Sequence, residues 1–409
     1  MSFKKLIGKI HLWLGLTSGI VVFIVGITGC LYVFHAEINK LMDKDSEVRV
    51  SHDKSTTYLS PSEIIALAKR YAPVDKEPGA LTYEVGWGCW VLIWMENENY
   101  QLFIDPFTGK LLKKTHWKQD APAEFDFFAW VLNGHRALWL PWDYGRPIVG
   151  YGILIFVIEL VTGLVLWWPK NLKKANREKS FRIKWGAKFK RINYDLHNVI
   201  GFYSLLILLA LALTGLVYGF PWVSKSIYWV ASVGKQLPEW KNVSSDTTFV
   251  GETFQHPEDR IWERFWKNNP EKGAIYIGLP EKPADTYFVN VNKKPGTLYR
   301  QEIYYFDRYT LKELHGGGTY SQNRYVSASL ADKGDRMNYD IHTGQLMGLP
   351  TKILAFFASL VAASLPVTGF IIWYNRKRGK KKRHIKRVTA DGNTPQTKTK
   401  SYINGNFGN

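Results

Sequence analysis

Residues 11–34 read HLWLGLTSGIVVFIVGITGCLYVF, and residues 197–220 read HNVIGFYSLLILLALALTGLVYGF. Each stretch opens on a histidine, stays apolar for longer than the roughly 20 residues a helix needs to cross a bilayer, and carries Thr-Gly near its end. His11 precedes Gly29 by 18 residues, and His197 precedes Gly215 by the same 18. Two more apolar runs, 148–168 and 350–374, are long enough to span, and they too end close to Thr-Gly, in LVTG and PVTG. The first run exceeds the ~7 to 15 residue apolar core of a signal peptide and lacks a small-x-small cleavage site, so it reads as a retained anchor.

The net charge of +19 is concentrated in KKLIGK near the start, in KNLKKANREKSFRIKWGAKFKR between the second and third runs, and in RKRGKKKRHIKR after the fourth. This is the distribution of the positive-inside rule rather than of a nucleic-acid binder. It makes both termini and the middle loop cytoplasmic and puts 35–147 and 221–349 outside, as expected of a multi-pass membrane protein. The basic tail either touches anionic lipid headgroups or is solvated, and its last residues have a disordered composition. Only Cys30 and Cys89 are present, so no disulfide framework is indicated and CxxC chemistry is excluded.

The second and fourth runs align with their approaches. GHRALWLPWDYGRPIVGYGILIFVIELVTGLVLWWPK (134–170) matches IHTGQLMGLPTKILAFFASLVAASLPVTGFIIWYNRK (341–377), with His135 lying 28 residues before Gly163 and His342 27 before Gly369. The outer segments repeat as well: YQLFIDPFTGKLL (100–112) and IYYFDRYTLKEL (303–314) each read as strand, tight turn, strand. Upstream, SPSEIIALAKRYA has an N-cap followed by helical periodicity. The expected fold is an internally duplicated integral membrane protein of four transmembrane helices with two extracytoplasmic α+β domains. Its parts are a cytoplasmic N-terminus (1–11), helix one (12–34), outer domain one (35–147), helix two (148–168), a basic cytoplasmic loop (169–196), helix three (197–220), outer domain two (221–349), helix four (350–374) and a basic, disordered tail (375–409).

Ionisable groups at membrane depth are costly and point to function. Helices one and three run outward, so His11 and His197 lie near the cytoplasmic face. Helices two and four run inward, so His135 and His342 lie near the outer face. Two facing imidazoles are what six-coordinate haem iron takes. Zinc competes poorly, since it wants four ligands and no cysteines or paired carboxylates are close. The reading is two b-type haems, one on His11 and His197, the other on His135 and His342, neither covalently attached because CxxCH is absent. His35 also belongs at the outer face and is an alternative ligand in place of His135 or His342. Glu159, well inside the second helix, either serves a haem ligand or proton path or is a neutral carboxyl bonded to a neighbouring helix. The glycines of the Thr-Gly pairs fall on the side of the histidines from the other two helices. Gly163 and Gly369 join His11 and His197, and Gly29 and Gly215 join His135 and His342. They either serve plain helix packing or leave side-chain-free backbone against which a porphyrin lies.

The motifs HLWLGLTSG, FIDPFTGKLL, LNGHRALW, YDLHNVIGFY and YDIHTGQLMGL together resemble the PepSY-associated transmembrane-helix family, over nearly the whole chain. The resemblance implies PepSY-like outer domains and a two-haem inner-membrane ferric-siderophore reductase. Hard oxygen donors hold Fe(III) tightly, and one electron makes the softer Fe(II), which they bind poorly. No FAD, NAD or iron-sulfur fingerprint is present, so the donor is expected to be a separate cytoplasmic protein or a membrane quinol. The rival readings are a non-catalytic PepSY-type envelope binding module and a haem-binding sensor.

Overall fold

A computed structural model describes residues 2–42, 57–118, 125–169, 171, 173–267, 273–322 and 324–391. The part of the expected disordered tail after Asp391 lies outside the described residues.

The first apolar run is helical from Phe3 onward (α1, Phe3–Tyr32) rather than from residue 12, since its lysine-rich start consists of good helix formers. A short α2 (His35–Met42) follows. The helix α3 (Pro61–Tyr71) starts on a capping box: the Glu63 carboxylate accepts from the Ser60 backbone N–H at 2.7 Å while the Ser60 side chain accepts from Glu63 N–H. Strands β1 (Ala80–Glu84), β2 (Cys89–Trp94), β3 (Glu98–Ile104) and β4 (Leu111–Lys118) come next. A separate helix α4 (Phe127–Ala137) then leads into the second span, α5 (Trp142–Trp167). The basic loop holds α6 (Lys174–Phe181) and α7 (Phe189–Asp195). A π-helical turn, Leu196–Ile200, joins α7 to α8 (Gly201–Gly219), so the third span begins at Phe189. Beyond it lie α9 (Pro221–Ala231), α10 (Pro257–Trp262), β5 (Ala274–Gly278), β6 (Tyr287–Asn292), β7 (Gln301–Phe306), β8 (Glu313–Leu314), α11 (Thr319–Gln322) and α12 (Leu330–His342). The last helix, α13 (Leu349–Asp391), continues through the basic segment that composition assigns to a disordered tail. Lysine and arginine have high helix propensity and simply propagate a helix the membrane has already nucleated.

The two long segments expected as separate domains form one sheet. Its order is β4-β3-β2-β1-β5-β6-β7-β8, every neighbour antiparallel, and the halves join where Leu81 pairs with Ile277 and Tyr83 with Ile275. Alternation in β2 and β6 buries one face. That face meets α3 and α10 in a common core including Ile64, Trp262, Trp266, Val91, Ile275 and Val289. The helices are tied by Asp259, whose carboxylate accepts from the Ser62 backbone N–H at 2.8 Å and hydroxyl at 2.6 Å. Sharing a core explains the merger, because neither four-stranded half buries as much alone. Matching turns close β3–β4 and β7–β8. Asp105 accepts from the N–H groups of Phe107 and Thr108, and Asp307 from those of Tyr309 and Thr310. Both turns need a left-handed residue, supplied by Gly109 in one and, at a steric cost, by Leu311 in the other. Cys89 is a packed core thiol, its pKa pushed far up by burial.

Among the described residues, four helices are long and apolar enough to cross a membrane: Phe3–Tyr32, Trp142–Trp167, Phe189–Gly219 and Leu349–Arg378. The sheet sits where α1 and α8 finish and α5 and α13 begin, and the basic segments sit at the opposite end. Midway, Val22, Phe156, Leu160, Leu208, Ala212 and Ala358 form an apolar layer. α1 meets the backbone of α13 closely at Gly26, where an added Cβ would lie 2.8 Å from Ala363 N and 2.9 Å from Ser359 O. Backbone cannot yield as a side chain can. Gly26→Leu is expected to force α1 from α13 at a cost of about 1–3 kcal/mol or more. In thermal unfolding of the detergent-purified protein, an unchanged midpoint would contradict this.

Candidate functional site

The sequence places four histidines at helix starts, and the fold assembles them into two pairs. His11 lies in α1 and His197 in the π-helical turn before α8, both toward the basic end; their ring centroids are 6.3 Å apart at 75°. His135 is carried by α4 and His342 by the last turn of α12, both toward the sheet end, with centroids 6.1 Å apart at 56°. The seat of His135 lies about 25 Å up α1 from His11, with the apolar layer between.

Each histidine rests on one Thr-Gly pair. Nδ1 of His11 is 3.0 Å from Thr162 Oγ1, and that of His197 is 2.9 Å from Thr368 Oγ1. His135 Nδ1 is 3.2 Å from Thr28 Oγ1, and His342 Nδ1 is 3.1 Å from Thr214 Oγ1. The direction of these bonds follows from the threonines. Each hydroxyl donates its one hydrogen back to its own helix: Thr28 to Ile24 O, Thr162 to Glu159 O, Thr214 to Ala210 O and Thr368 to Ser364 O. Only its lone pairs remain for the imidazole. Carbonyls give the same answer, since they can only accept. Val25 O lies 3.0 Å from His135 Nδ1 and Leu211 O 3.1 Å from His342 Nδ1. In all four rings, therefore, Nδ1 carries the hydrogen and donates it, and Nε2 keeps a lone pair. That tautomer, fixed by a partner behind the ring, is the form of imidazole that ligates a metal.

The glycines are part of the same seats. A Cβ on Gly29 would meet His135 Cε1 at 3.4 Å, on Gly163 His11 Cε1 at 3.5 Å, on Gly215 His342 Cε1 at 3.0 Å and on Gly369 His197 Cε1 at 3.3 Å. Each glycine lies on the side its sequence position assigns it, but the space before it is taken by an imidazole edge rather than left as a bare surface for a flat ring. The physical reason is that the threonine can reach Nδ1 only if the ring comes within contact of the next residue's backbone.

The supporting elements are specific. Asp126 caps α4 by accepting from Ala129 N–H at 3.0 Å. On α12 a Ser329–Asp332 capping box sets the start, and fully buried Asp340 accepts from the N–H groups of Leu298 and Tyr299. Asn338 adds a bond to Thr214 O at 3.3 Å. The π-helical turn around His197 is pinned by Asn193, which donates to Thr368 O at 3.0 Å. Such turns often mark functional positions in helices.

His35 is placed elsewhere. Its Nδ1 is 2.8 Å from Tyr32 O, and its ring stacks on Tyr32 at 4.0 Å and edges Phe128 at 6.1 Å. The ring partner of His135 is His342. Glu159 stands between α5 and α1, accepting from Ser18 Oγ at 3.3 Å, under Gly15, with its carbonyl serving the Thr162–His11 seat. It thus both bonds a neighbouring helix and supports a pair. Among the described residues, no third His, Cys, Asp or Glu joins either pair.

The threonine hydroxyls, Asp340 and the π-helical turn were not read from the sequence as site features. The signal for the threonines is their recurrence before all four glycines.

Residues 9–376 match the family described as PepSY-associated TM region. No curated protein matches the chain.

Proposed function

The chain belongs to the family of the PepSY-associated TM region, and from that premise we propose that this multi-pass membrane protein is a two-haem b cytochrome. In this reading it carries electrons from the cytoplasmic side to a ferric siderophore or other iron chelate outside. The observation that carries the reading is the pair of seats. An iron between two imidazoles, with each metal–nitrogen bond about 2 Å long, holds the ring centroids roughly 6 Å apart; the pairs stand at 6.3 and 6.1 Å, with Nδ1 turned away toward threonine. Two ligands are the complement of haem, whose porphyrin supplies the other four, whereas structural zinc takes four protein ligands.

Bound haem supplies one-electron carriage at each end of the bundle. The protein's part is to hold each Nε2 toward the iron through the Thr-Gly seats and to keep water out of the middle through the apolar layer of Val22, Phe156 and Leu208. The orientation we infer puts the basic segments and both termini in the cytoplasm and the sheet in the periplasm, following the positive-inside rule. The matched Asp105 and Asp307 turns and the paired seats support an internal duplication, with two PepSY-like halves fused in one sheet. A purely non-catalytic envelope module has no use for four seated histidines at membrane depth, while a haem sensor shares them and is separated by turnover.

The test is spectroscopic. Detergent-purified protein made with ample haem supply is expected to show a b-type reduced-minus-oxidised spectrum with two haems per chain. After dithionite reduction it is expected to be reoxidised by a ferric siderophore with release of Fe(II) to a ferrous chelator. No haem absorbance would sink the cytochrome, and haem that no ferric chelate reoxidises would leave the sensor.

A further inference from the structure

A cavity of about 570 Å³ opens between α8 and α13, walled on one side by the segment from Phe181 to Trp185. Its size is that of a small-molecule site, roughly 300–1,000 Å³. Both helices are candidate membrane spans, and Tyr203 and Phe357 on the rim are exposed, so the opening faces lipid. The floor includes Val199 and Ile200, within a helical turn of His197, about 5 Å along the axis.

The wall is built rather than loose. Trp167 donates from its indole to Ser180 O at 2.9 Å and stacks on Phe202 at 3.5 Å, and Lys184 N–H donates to Asp195 at 3.2 Å. Within an otherwise apolar lining, three polar side chains appear: Arg182, Tyr203 and Ser204. The Ser204 hydroxyl gives its hydrogen to Ile200 O at 2.7 Å, and that of Tyr203 points at Phe181 O at 3.4 Å. Both oxygens are left as acceptors. A ligand suited to this cavity is apolar, enters from the membrane and brings hydroxyl donors; an acyl chain has none to bring.

We propose that this groove binds a membrane quinol, which is the electron donor to the His11–His197 end of the protein. The proposal rests on the haem reading above and names its donor. Oxidation of one quinol to quinone breaks both O–H bonds and releases two protons to water at the cytoplasmic side. The two electrons would pass to the haems that the His11–His197 and His135–His342 pairs would hold, one to each. The quinol hydroxyls donate to Ser204 and Tyr203, and Arg182 offers a donor to the quinone oxygen once the hydroxyl hydrogen has gone.

Two readouts test it on the full chain in membranes. An azido-substituted short-tail ubiquinone, photoactivated, is expected to label peptides covering 181–207 or 354–361, and decylubiquinol to displace it. In haem-loaded protein, decylubiquinol is expected to reduce the haem. Ile207→Trp, which fills the groove, should lower both labelling and the decylubiquinol rate at least tenfold with the dithionite rate unchanged. If that variant does not accumulate, Ser204→Ala is expected to raise the KM for decylubiquinol about tenfold at full haem content. Labelling elsewhere in the chain, or displaced as well by phosphatidylglycerol as by decylubiquinol, overturns the proposal and makes the groove a lipid site. Unchanged decylubiquinol kinetics in both variants overturns it as well. Absence of haem absorbance is instead a failure of the cytochrome reading, and the labelling still decides what the groove holds.

Discussion

Alanine at His11 or at His197 is expected to remove one and the same haem, and alanine at His135 or at His342 the other. Each single variant should lose about half of the haem absorbance per chain, and the double variant within a pair should lose no more than either single one. The reason is geometric. In the proposed reading each iron would have two protein ligands, from histidine pairs whose ring centroids stand 6.3 and 6.1 Å apart, and among the described residues no third ligating group is there to take over. His35→Ala should keep both haems, since that ring is stacked on Tyr32 and bonded to its carbonyl. The check is a pyridine haemochrome assay with the spectrum of each variant. If His35→Ala removes the sheet-end haem while His135→Ala or His342→Ala does not, the pairing is wrong.

This pairing was legible in the sequence because a membrane restricts the possibilities. Helix direction alternates, histidine sits early in the first and third spans and just ahead of the second and fourth, glycine sits late in each span, and the equal spacings of 18 residues in the first and third set equal heights. Height and side therefore follow from sequence position alone. What touches what across helices does not. The sequence could not show that Thr162 Oγ1 meets His11 Nδ1, because that depends on how α1 and α5 rotate about their axes. That rotation is set by close contacts such as Gly15 over Glu159 and Gly26 against Ser359. The single sheet was hidden for a related reason. Alternation in TYEVGWGCWVLIWM reports a half-buried strand but not its partner, and the β1–β5 pairing of Leu81 with Ile277 joins residues almost two hundred positions apart. The π-helical turn at His197 leaves no compositional mark at all, since it is a register shift within an otherwise ordinary helix.

The seats themselves make a graded prediction that separates haem holding from mere helix packing. An added Cβ at Gly215 would stand 3.0 Å from His342 Cε1, tighter than side chains normally tolerate, whereas at Gly163 it would stand 3.5 Å from His11, an ordinary contact. Gly163→Ala is therefore expected to be nearly silent and Gly215→Ala to weaken the sheet-end site. Gly215→Leu should go further: the branched side chain must displace the His342 ring from Thr214 Oγ1 and Leu211 O, 3.1 Å from each now. Freed from both, the ring loses its orientation and its fixed Nδ1–H tautomer, so Nε2 no longer points reliably at the iron. Removing the partner behind a ligand costs about 10–100-fold in metal affinity, and moving the ligand as well should lose the sheet-end haem nearly completely. The basic-end haem should stay, because His11 and His197 are seated on α5 and α13, not on α8. Haem titration of the purified variants, read at both sites, checks this. Equal loss of both haems together with a large fall in thermal midpoint would mean that the glycine serves packing of the bundle, and that the seat is its by-product.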